Sequence, residues 1–311
     1  MTGTTGTRAI TWARRAGWAS LVANTGIVVT GGAVRLTGSG LGCPTWPRCT
    51  EDDFTPHGEL DFHSAIEFGN RLLTFVLVAV AVATFVAAWR TARSDLVRLS
   101  VVLALGIPLQ AVIGGITVLT DLNPWIVSLH LLLSMALIGL SVRFLQLLDR
   151  PVPARGGPVT WLAWSTFATG WVVLYLGTVV TGSGPHAGDE DSPRNGLDPL
   201  QWSQLHADAV FLLLGLSIGL ALCLRAVDAD RAAQRAAWTL VGIELAQGLI
   251  GFVQYVTDLP VVLVGFHLLG AGVISASLTW TLLRVRHPEP APADALVDEP
   301  SAQPAAATSS R

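Results

Sequence analysis

Three histidines lie within long apolar stretches of the sequence: His130, His206 and His267. Ionisable side chains are rare in such stretches and usually serve a function there. A neutral imidazole can hold a metal ion, or it can simply hydrogen-bond to a neighbouring helix. Counted from the expected outer end of its helix, each histidine lies roughly 8–10 Å deep at about 1.5 Å per residue. All three therefore share one predicted depth.

Two of these residues, His206 and His267, fall on parallel helices of one predicted four-helix unit. Two imidazoles at one depth on parallel helices can bind one haem iron from opposite faces. The alternative is a pair of histidines that only hydrogen-bond between helices. The pattern favours a bound cofactor because the depths match.

The corresponding stretch of the first half reads HSAIEFGNRLLTF (63–75) and has no histidine at that depth. It carries Glu67, Asn70 and Arg71 instead, with His63 one helical turn above Glu67. His130 is then the one firm ligand candidate of the first half. A single ligand beside a buried carboxylate is typical of a reaction site, whereas two matched histidines suit a permanent electron-transfer cofactor.

Two arginines near the same end, Arg35 and Arg71, could pair with haem propionates. The alternative for Arg71 is a structural ion pair with Glu67. The alternative for Arg35 is an aliphatic stem lying in lipid with its guanidinium at the interface.

The elements that would position these residues are membrane-spanning helices. Of the 311 residues, 51% are hydrophobic and only 13% are charged, against about 25% charged in soluble domains. The net charge of −3 does not indicate nucleic acid as a partner. Eight apolar runs are long enough to span a bilayer. They lie near 16–35, 64–89, 97–120, 124–148, 159–182, 201–225, 236–257 and 260–284.

The charges on the connecting segments predict the orientation. Arginine precedes the first run, follows the last, and lies between runs two and three, four and five, and six and seven. The opposite loops are acidic. Both termini are therefore predicted to be cytoplasmic, with the first helix an uncleaved anchor and the tail 287–311 disordered.

The chain contains an internal repeat. LQAVIGGITVLTDLNPWIVSLH (109–130) aligns without a gap to AQGLIGFVQYVTDLPVVLVGFH (246–267), at an offset of 137. TGSG occurs at 37–40 and again at 181–184. We predict an all-α polytopic membrane protein with two pseudo-symmetric four-helix bundles, 16–148 and 159–285, after a cytoplasmic segment 1–15.

Together these residues resemble the haem A synthase family, over essentially residues 16–285. The resemblance rests on the duplication, on TGSG followed by GCPTWPRC, on IEFGNR, and on the three histidines. It implies oxidation of the C8 methyl group of haem O to the formyl group of haem A for cytochrome oxidase, with water as the expected oxygen source. It also implies haem b in the second half, held by His206 and His267, and the substrate haem in the first half.

Residue by residue, the resemblance assigns the family's catalytic glutamate to Glu67 and its helix-4 ligand to His130. Many members have a histidine where this sequence has Asn70. His63 is a weaker candidate for that missing ligand, because it starts about 10 Å nearer the surface. His186, in the second outer loop, is expected to be a surface residue.

The first outer loop contains Cys43 and Cys49, which we expect to form a disulfide over the substrate haem. A redox role for this pair stays open, and two cysteines alone make a poor metal site. The third cysteine, Cys223, is expected to be buried and inert. TGSG is expected to end a helix through its glycines.

Two other classes of function remain to be separated from this one. A b-type membrane cytochrome would transfer electrons without modifying its haem. A repeat-built transporter would show paired broken helices, but the counterpart of Pro108 is Leu245. The expected setting is the plasma membrane, with haem O synthase, the oxidase assembly machinery and lipid as partners. The electron acceptor and any homo-oligomer are not specified by the sequence.

Overall fold

Eight α-helices make up the regular structure in the computed structural model, which describes residues 3–56, 62–149, 154 and 156–287. In chain order they are α1 (Gly3–Leu36), α2 (Phe62–Trp89), α3 (Ser94–Leu119), α4 (Pro124–Leu148), α5 (Pro158–Ser183), α6 (Pro199–Ala226), α7 (Arg231–Val256) and α8 (Val261–Arg286). No strand occurs in these residues. All eight helices are long and apolar enough to span a membrane. The chain is an all-α, multi-pass membrane protein, as the sequence predicts.

The first helix begins earlier than predicted. It starts at Gly3, whereas the apolar run starts at 16. The added turns are polar, and Arg14 pairs with Asp149 at 2.6 Å, just past the end of α4. Hydropathy does not detect these turns, because helix formation continues beyond the apolar run. The tail predicted to be disordered lies, apart from His287, outside the described residues.

The helices contact one another in two rings. In the first ring α1 packs on α2, α2 on α3, α3 on α4 and α4 on α1, and α5 to α8 form the second ring in the same order. Between the rings, α4 contacts α8, α1 contacts α8, and α4 contacts α5. Exchanging the first four helices with the last four leaves this set of contacts unchanged. The roles predicted for the two halves stay predictions.

Local sequence signals explain where several helices begin and turn. Proline occupies the first turn of α4, α5 and α6, where a missing N–H costs no hydrogen bond. The side chains of Asn123, Asp198 and Asp230 accept backbone N–H bonds as N-caps. The α3–α4 and α7–α8 turns share one conformation, since each has two consecutive residues with positive φ: Asp121 and Leu122, and Asp258 and Leu259.

Small and apolar side chains fill both bundles and the interface between them. A cluster of Val28, Met135, Ile138 and Leu174 lies where α1, α4 and α5 meet α8. Large apolar side chains on the outward faces are exposed, as expected for helices solvated by lipid. Cys223 belongs to this outward surface, so its predicted burial is wrong. Its helix is apolar on the lipid side as well as in the core, and composition cannot tell the two faces apart.

Both TGSG segments lie at helix ends. The first follows α1 and contains Gly38 with φ of +66°, a conformation that glycine adopts without strain. The second spans the end of α5, which stops at Ser183. Both copies therefore end a helix as predicted, but the glycine conformation expected for that role occurs only at the first, since Gly184 of the second has φ of −84°.

Candidate functional site

Each of the three histidines packs against a glycine of the preceding helix. His130 of α4 faces Gly114 of α3, and a Cβ placed on that glycine would lie 3.2 Å from the histidine Cε1. The same distance of 3.2 Å recurs for His206 of α6 on Gly177 of α5, and for His267 of α8 on Gly251 of α7. The glycines therefore provide the space that the imidazoles occupy.

One ring nitrogen of each imidazole is left without a hydrogen-bond partner. The Nδ1 atoms of His130, His206 and His267 are buried and have no hydrogen-bond partner. A buried polar atom without a partner is costly, so it calls for an explanation such as a bound group. No cluster of three or more His, Cys, Asp or Glu in the described part of the chain could hold a metal ion by itself. Single imidazoles suit a haem iron, since the porphyrin supplies its other ligands. The histidines therefore fit a haem.

The second bundle contains two of the buried imidazoles, His206 on α6 and His267 on α8. The first bundle contains His130 on α4, and the corresponding part of α2 carries Asn70. Among the described residues the two bundles thus differ, with two buried imidazoles in one and a single buried imidazole in the other.

The backbone of two histidines is held by the same hydrogen bond. Gln110 of α3 donates from Nε2 to the His130 carbonyl at 3.1 Å, and Gln247 of α7 donates to the His267 carbonyl at 2.6 Å. The residues lie at the repeat offset of 137. The repeated stretches therefore form equivalent supports for the two ligand candidates.

An amide takes the place of the missing histidine on α2. Asn70 accepts a hydrogen bond from Thr30 of α1 at 2.8 Å on its Oδ1. Its Nδ2 lies 3.9 Å from a Cβ built on Gly31, so it too faces a glycine of the preceding helix. Offset counting places Gly69 opposite His206, but this contact favours Asn70 as the residue that occupies the ligand position.

Glu67 and Arg71 anchor the first outer loop. Glu67 is 5% exposed, and its Oε2 accepts the Cys43 N–H at 2.6 Å. Arg71 donates to Glu67 Oε1 from Nε at 3.1 Å and from Nη2 at 2.5 Å. It also donates to the carbonyls of Cys43, Thr45 and Arg48. A propionate would have to share the Arg71 guanidinium with these partners.

The loop itself is closed by the predicted disulfide, which is confirmed between Cys43 and Cys49. Its Trp46 lies against α3, because a Cβ on Gly115 would overlap the indole ring. The neighbouring glycine, Gly114, faces His130. The loop therefore reaches into the first bundle beside the predicted substrate ligand.

Three other residues singled out in the sequence have partners in the chain. His63 is exposed, and a hydrogen bond of 3.0 Å joins its Nδ1 to Ser39. Arg35 donates to the carbonyls of His186 and Thr181 and so connects α1 to the second outer loop. His186 is partly buried, and its Nε2 lies 3.0 Å from the Leu259 carbonyl oxygen, so it is not a free surface residue.

One buried ionisable residue escapes the sequence reasoning. Glu244 lies in the middle of α7, within the apolar run 236–257, and is 5% exposed. The rule that selects the histidines, an ionisable side chain within an apolar run, would also have found it.

The eight apolar helices define a polytopic membrane protein, and its three buried imidazoles are candidate haem ligands. Residues 14–188 match the family model COX15-CtaA, described as cytochrome oxidase assembly protein. The match covers more than half of the chain, and the chain belongs to this family.

Several relatives carry the name heme A synthase. The protein of Geobacillus thermodenitrificans is 33% identical over 140 residues, which is 43% of this chain and 43% of that protein. The protein of Staphylococcus epidermidis is 24% identical over 263 residues, which is 78% of this chain and 85% of that protein. A protoheme IX farnesyltransferase of Halobacterium salinarum is 32% identical over 114 residues, which is 36% of this chain and 25% of that protein.

The chain spans less than half of the length of the Geobacillus relatives that it matches. The aligned part covers 43% of the G. thermodenitrificans protein and 35% of the G. kaustophilus protein.

Proposed function

We propose that the chain is a haem A synthase, which oxidises the C8 methyl group of haem O to a formyl group. The observation that carries this proposal is the difference between the bundles. The second has two buried imidazoles, His206 and His267, whereas the first has one, His130, below a loop that a carboxylate anchors. Membership of an oxidase assembly family and relatives named heme A synthase support it.

In this proposal His206 and His267 hold haem b in the second bundle. When bound, haem b supplies one-electron transfer away from the substrate. Gly177 and Gly251 set the positions of the two imidazoles, and Gln247 fixes the backbone of His267. These contacts would hold the two imidazoles in fixed positions.

In the first bundle His130 holds the iron of the substrate haem, with Asn70 on the side where a second histidine is missing. Arg35 and Arg71 are the proposed propionate partners, alongside the backbone carbonyls that they already bind. The loop with Trp46 covers the site and limits the entry of water.

The reaction converts a methyl group and one water into an aldehyde and releases four electrons and four protons. Two successive oxidations give a gem-diol, which loses water. Glu67 is the proposed proton acceptor or the group that stabilises positive charge on the oxidised substrate. The Cys43 N–H and Arg71 hold its carboxylate in one orientation.

We place the protein in the plasma membrane with both termini in the cytoplasm, which the arginine-bearing inner loops support. The proposed partners are a haem O synthase that supplies the substrate, the oxidase assembly machinery and an electron acceptor. The similarity to a halobacterial protein named protoheme IX farnesyltransferase supports the first of these.

Pigment extraction and chromatography of the purified protein, expressed with a haem O source, test the proposal. We expect haem A together with haem b. His130→Ala should keep haem b and stop conversion of haem O, whereas His206→Ala should lose haem b. Haem b alone beside unchanged haem O in the unsubstituted protein would identify a b-type cytochrome that only transfers electrons, and absence of any haem would reject both.

A further inference from the structure

The second bundle contains a buried carboxyl group to which the proposed function assigns no role. Glu244 Oε1 accepts a hydrogen bond of 2.7 Å from Ser217 of α6. Its Oε2 is buried and has no hydrogen-bond partner. Ser217 is fully buried, so this pair lies within the bundle and not at its lipid surface.

The surroundings of this carboxyl are apolar. Leu213 lies one turn from Ser217, and Leu240 lies one turn from Glu244. Both leucines belong to one core cluster that also contains Val173, Ile274 and Leu278. A carboxylate in such a place has no cation and only one hydrogen bond, so charging it costs free energy unless another charge compensates.

No ionisable group of the neighbouring helices supplies that compensation. α7 packs on α6 and α8, and among the described residues Ser217 of α6 is the one side chain that hydrogen-bonds to Glu244. The ionisable groups of α6 and α8 lie elsewhere along these helices: His206, Asp208, Cys223, Arg225, His267, Arg284 and Arg286. Those of α7 itself are near its ends: Arg231, Arg235 and Tyr255.

Helix packing does not require a carboxyl at the depth of Glu244, as the first bundle shows. At the repeat offset of 137 the counterpart of Glu244 is Ile107, and at the offset of 136 that sets Asn70 opposite His206 the counterpart of Ser217 is Ala81. Ile107 is buried in an apolar cluster with Leu77 and Ala81. The first bundle therefore has apolar side chains at the position where the second has Glu244. A carboxyl at this position occurs only in the bundle that has His206 and His267.

We propose that Glu244 is a proton-binding site. Its protonation is coupled to the oxidation state of the haem that His206 and His267 would hold. This inference rests on the proposed haem b site. At about 1.5 Å per residue, Glu244 lies about 18 Å from the outer end of α7 and His267 about 9 Å from that of α8. The carboxyl is thus one to two turns deeper than the imidazoles in the same apolar interior.

The coupling balances charge. When one electron from methyl oxidation enters the second bundle, the Glu244 carboxylate binds one proton from water, and the net charge of the bundle stays constant. When the electron leaves to the acceptor, the carboxyl releases that proton to water. Two charges within one bundle interact more strongly than in water, because the dielectric constant of the apolar interior is low.

The midpoint potential of bound haem b, measured across the neutral pH range in the full-length protein, tests this inference. We expect the unsubstituted protein to show a slope of up to ~59 mV per pH unit, the value for one proton per electron. Glu244→Gln keeps a hydrogen-bonding side chain but cannot release a proton, so its slope should vanish. Glu67→Gln, which alters the buried acid of the other bundle, should keep the slope.

The outcomes separate this inference from the proposed function. Absence of haem b from the unsubstituted protein would reject the proposed haem site itself. A haem b potential independent of pH, or an equal slope in Glu244→Gln, would overturn the role of Glu244 alone. If Glu244→Gln does not fold, Ser217→Ala provides a second test, because it removes the hydrogen bond to Glu244. The pH at which the midpoint potential begins to depend on pH should then shift. The same pH in Ser217→Ala and the unsubstituted protein would also overturn the role of Glu244.

Discussion

At the scale of single residues, Glu67 combines two tasks that mutation must separate. One oxygen binds the Cys43 N–H and the other binds Arg71, so the carboxylate is part of the loop anchor as well as the proposed catalytic group. Removing the side chain would therefore disturb both the loop and the chemistry. A variant that keeps the hydrogen-bond acceptor gives a clearer result.

Glu67→Gln keeps an oxygen for the Cys43 N–H but cannot accept a proton. We expect conversion of haem O to fall about 100-fold or more, the usual contribution of a general acid or base, while haem b and the disulfide persist. Chromatography of the haems and thiol labelling provide the two readouts. Thr45→Ala is the control, since it removes hydrogen bonds to the Arg48 and Thr50 carbonyls within the loop and leaves the carboxylate. Equal conversion in Glu67→Gln and the unsubstituted protein would rule out proton transfer by Glu67.

At the scale of helices, the site depends on contacts between successive helices. In each contact a glycine of one helix lies against an imidazole of the next. Gly114, Gly177 and Gly251 have this relation to His130, His206 and His267. Because core packing is dense, even one methyl group on such a glycine must displace the ring. Helix–helix packing therefore decides the ligand geometry.

Gly251→Ala tests this relation in the second bundle. Its Cβ would lie 3.2 Å from His267 Cε1, so the imidazole must move and we expect haem b to be retained about tenfold less well. A tenfold loss of affinity corresponds to about 1.4 kcal/mol. Gly248→Ala is the matched control, since no atom lies within 4 Å of a Cβ at that position of the same helix. Haem b per protein, measured by absorbance, should fall only in the first variant, and equal retention would contradict the relation.

At the scale of the whole molecule, the two bundles are joined both in the membrane and above it. Within the membrane, Ser275 of α8 donates to the Met135 carbonyl of α4 at 2.8 Å. Above it, Arg35 donates to the His186 carbonyl of the second outer loop and the Gly40 N–H donates to the Gly188 carbonyl of the same loop. Electron transfer between the proposed haem sites would depend on this interface, because it sets the separation of the bundles.

Gly139→Val tests the interface between α4 and α8. A Cβ at Gly139 would lie 2.8 Å from Thr279 Oγ1, so the helices must separate or repack. Overpacking of this kind typically costs about 1–3 kcal/mol, so the midpoint of thermal unfolding should fall. Gly219→Val, at an open position of α6, is the control. Thermal unfolding in detergent should distinguish the two, and identical midpoints would show that the interface tolerates the change.

Much of the fold could be predicted from the sequence because lipid leaves few alternatives. A chain within a bilayer must bond its backbone internally, so each long apolar run becomes one helix. The bounds of α4 agree with the prediction at both ends, and the start of α1 does not, because its first turns are polar. The disulfide between Cys43 and Cys49 was also predictable, since the two cysteines share one short loop.

The sequence by itself determined the helices, their repeat and the shared depth of the histidines, because these depend on local composition and on counting along a helix. Only the tertiary structure decided which side chains meet. The binding of Arg71 to three loop carbonyls, the glycine beside each imidazole and the pairing of Glu244 with Ser217 all join separate elements. Such contacts follow from the rotation and spacing of packed helices, which the hydropathy of a single run does not encode.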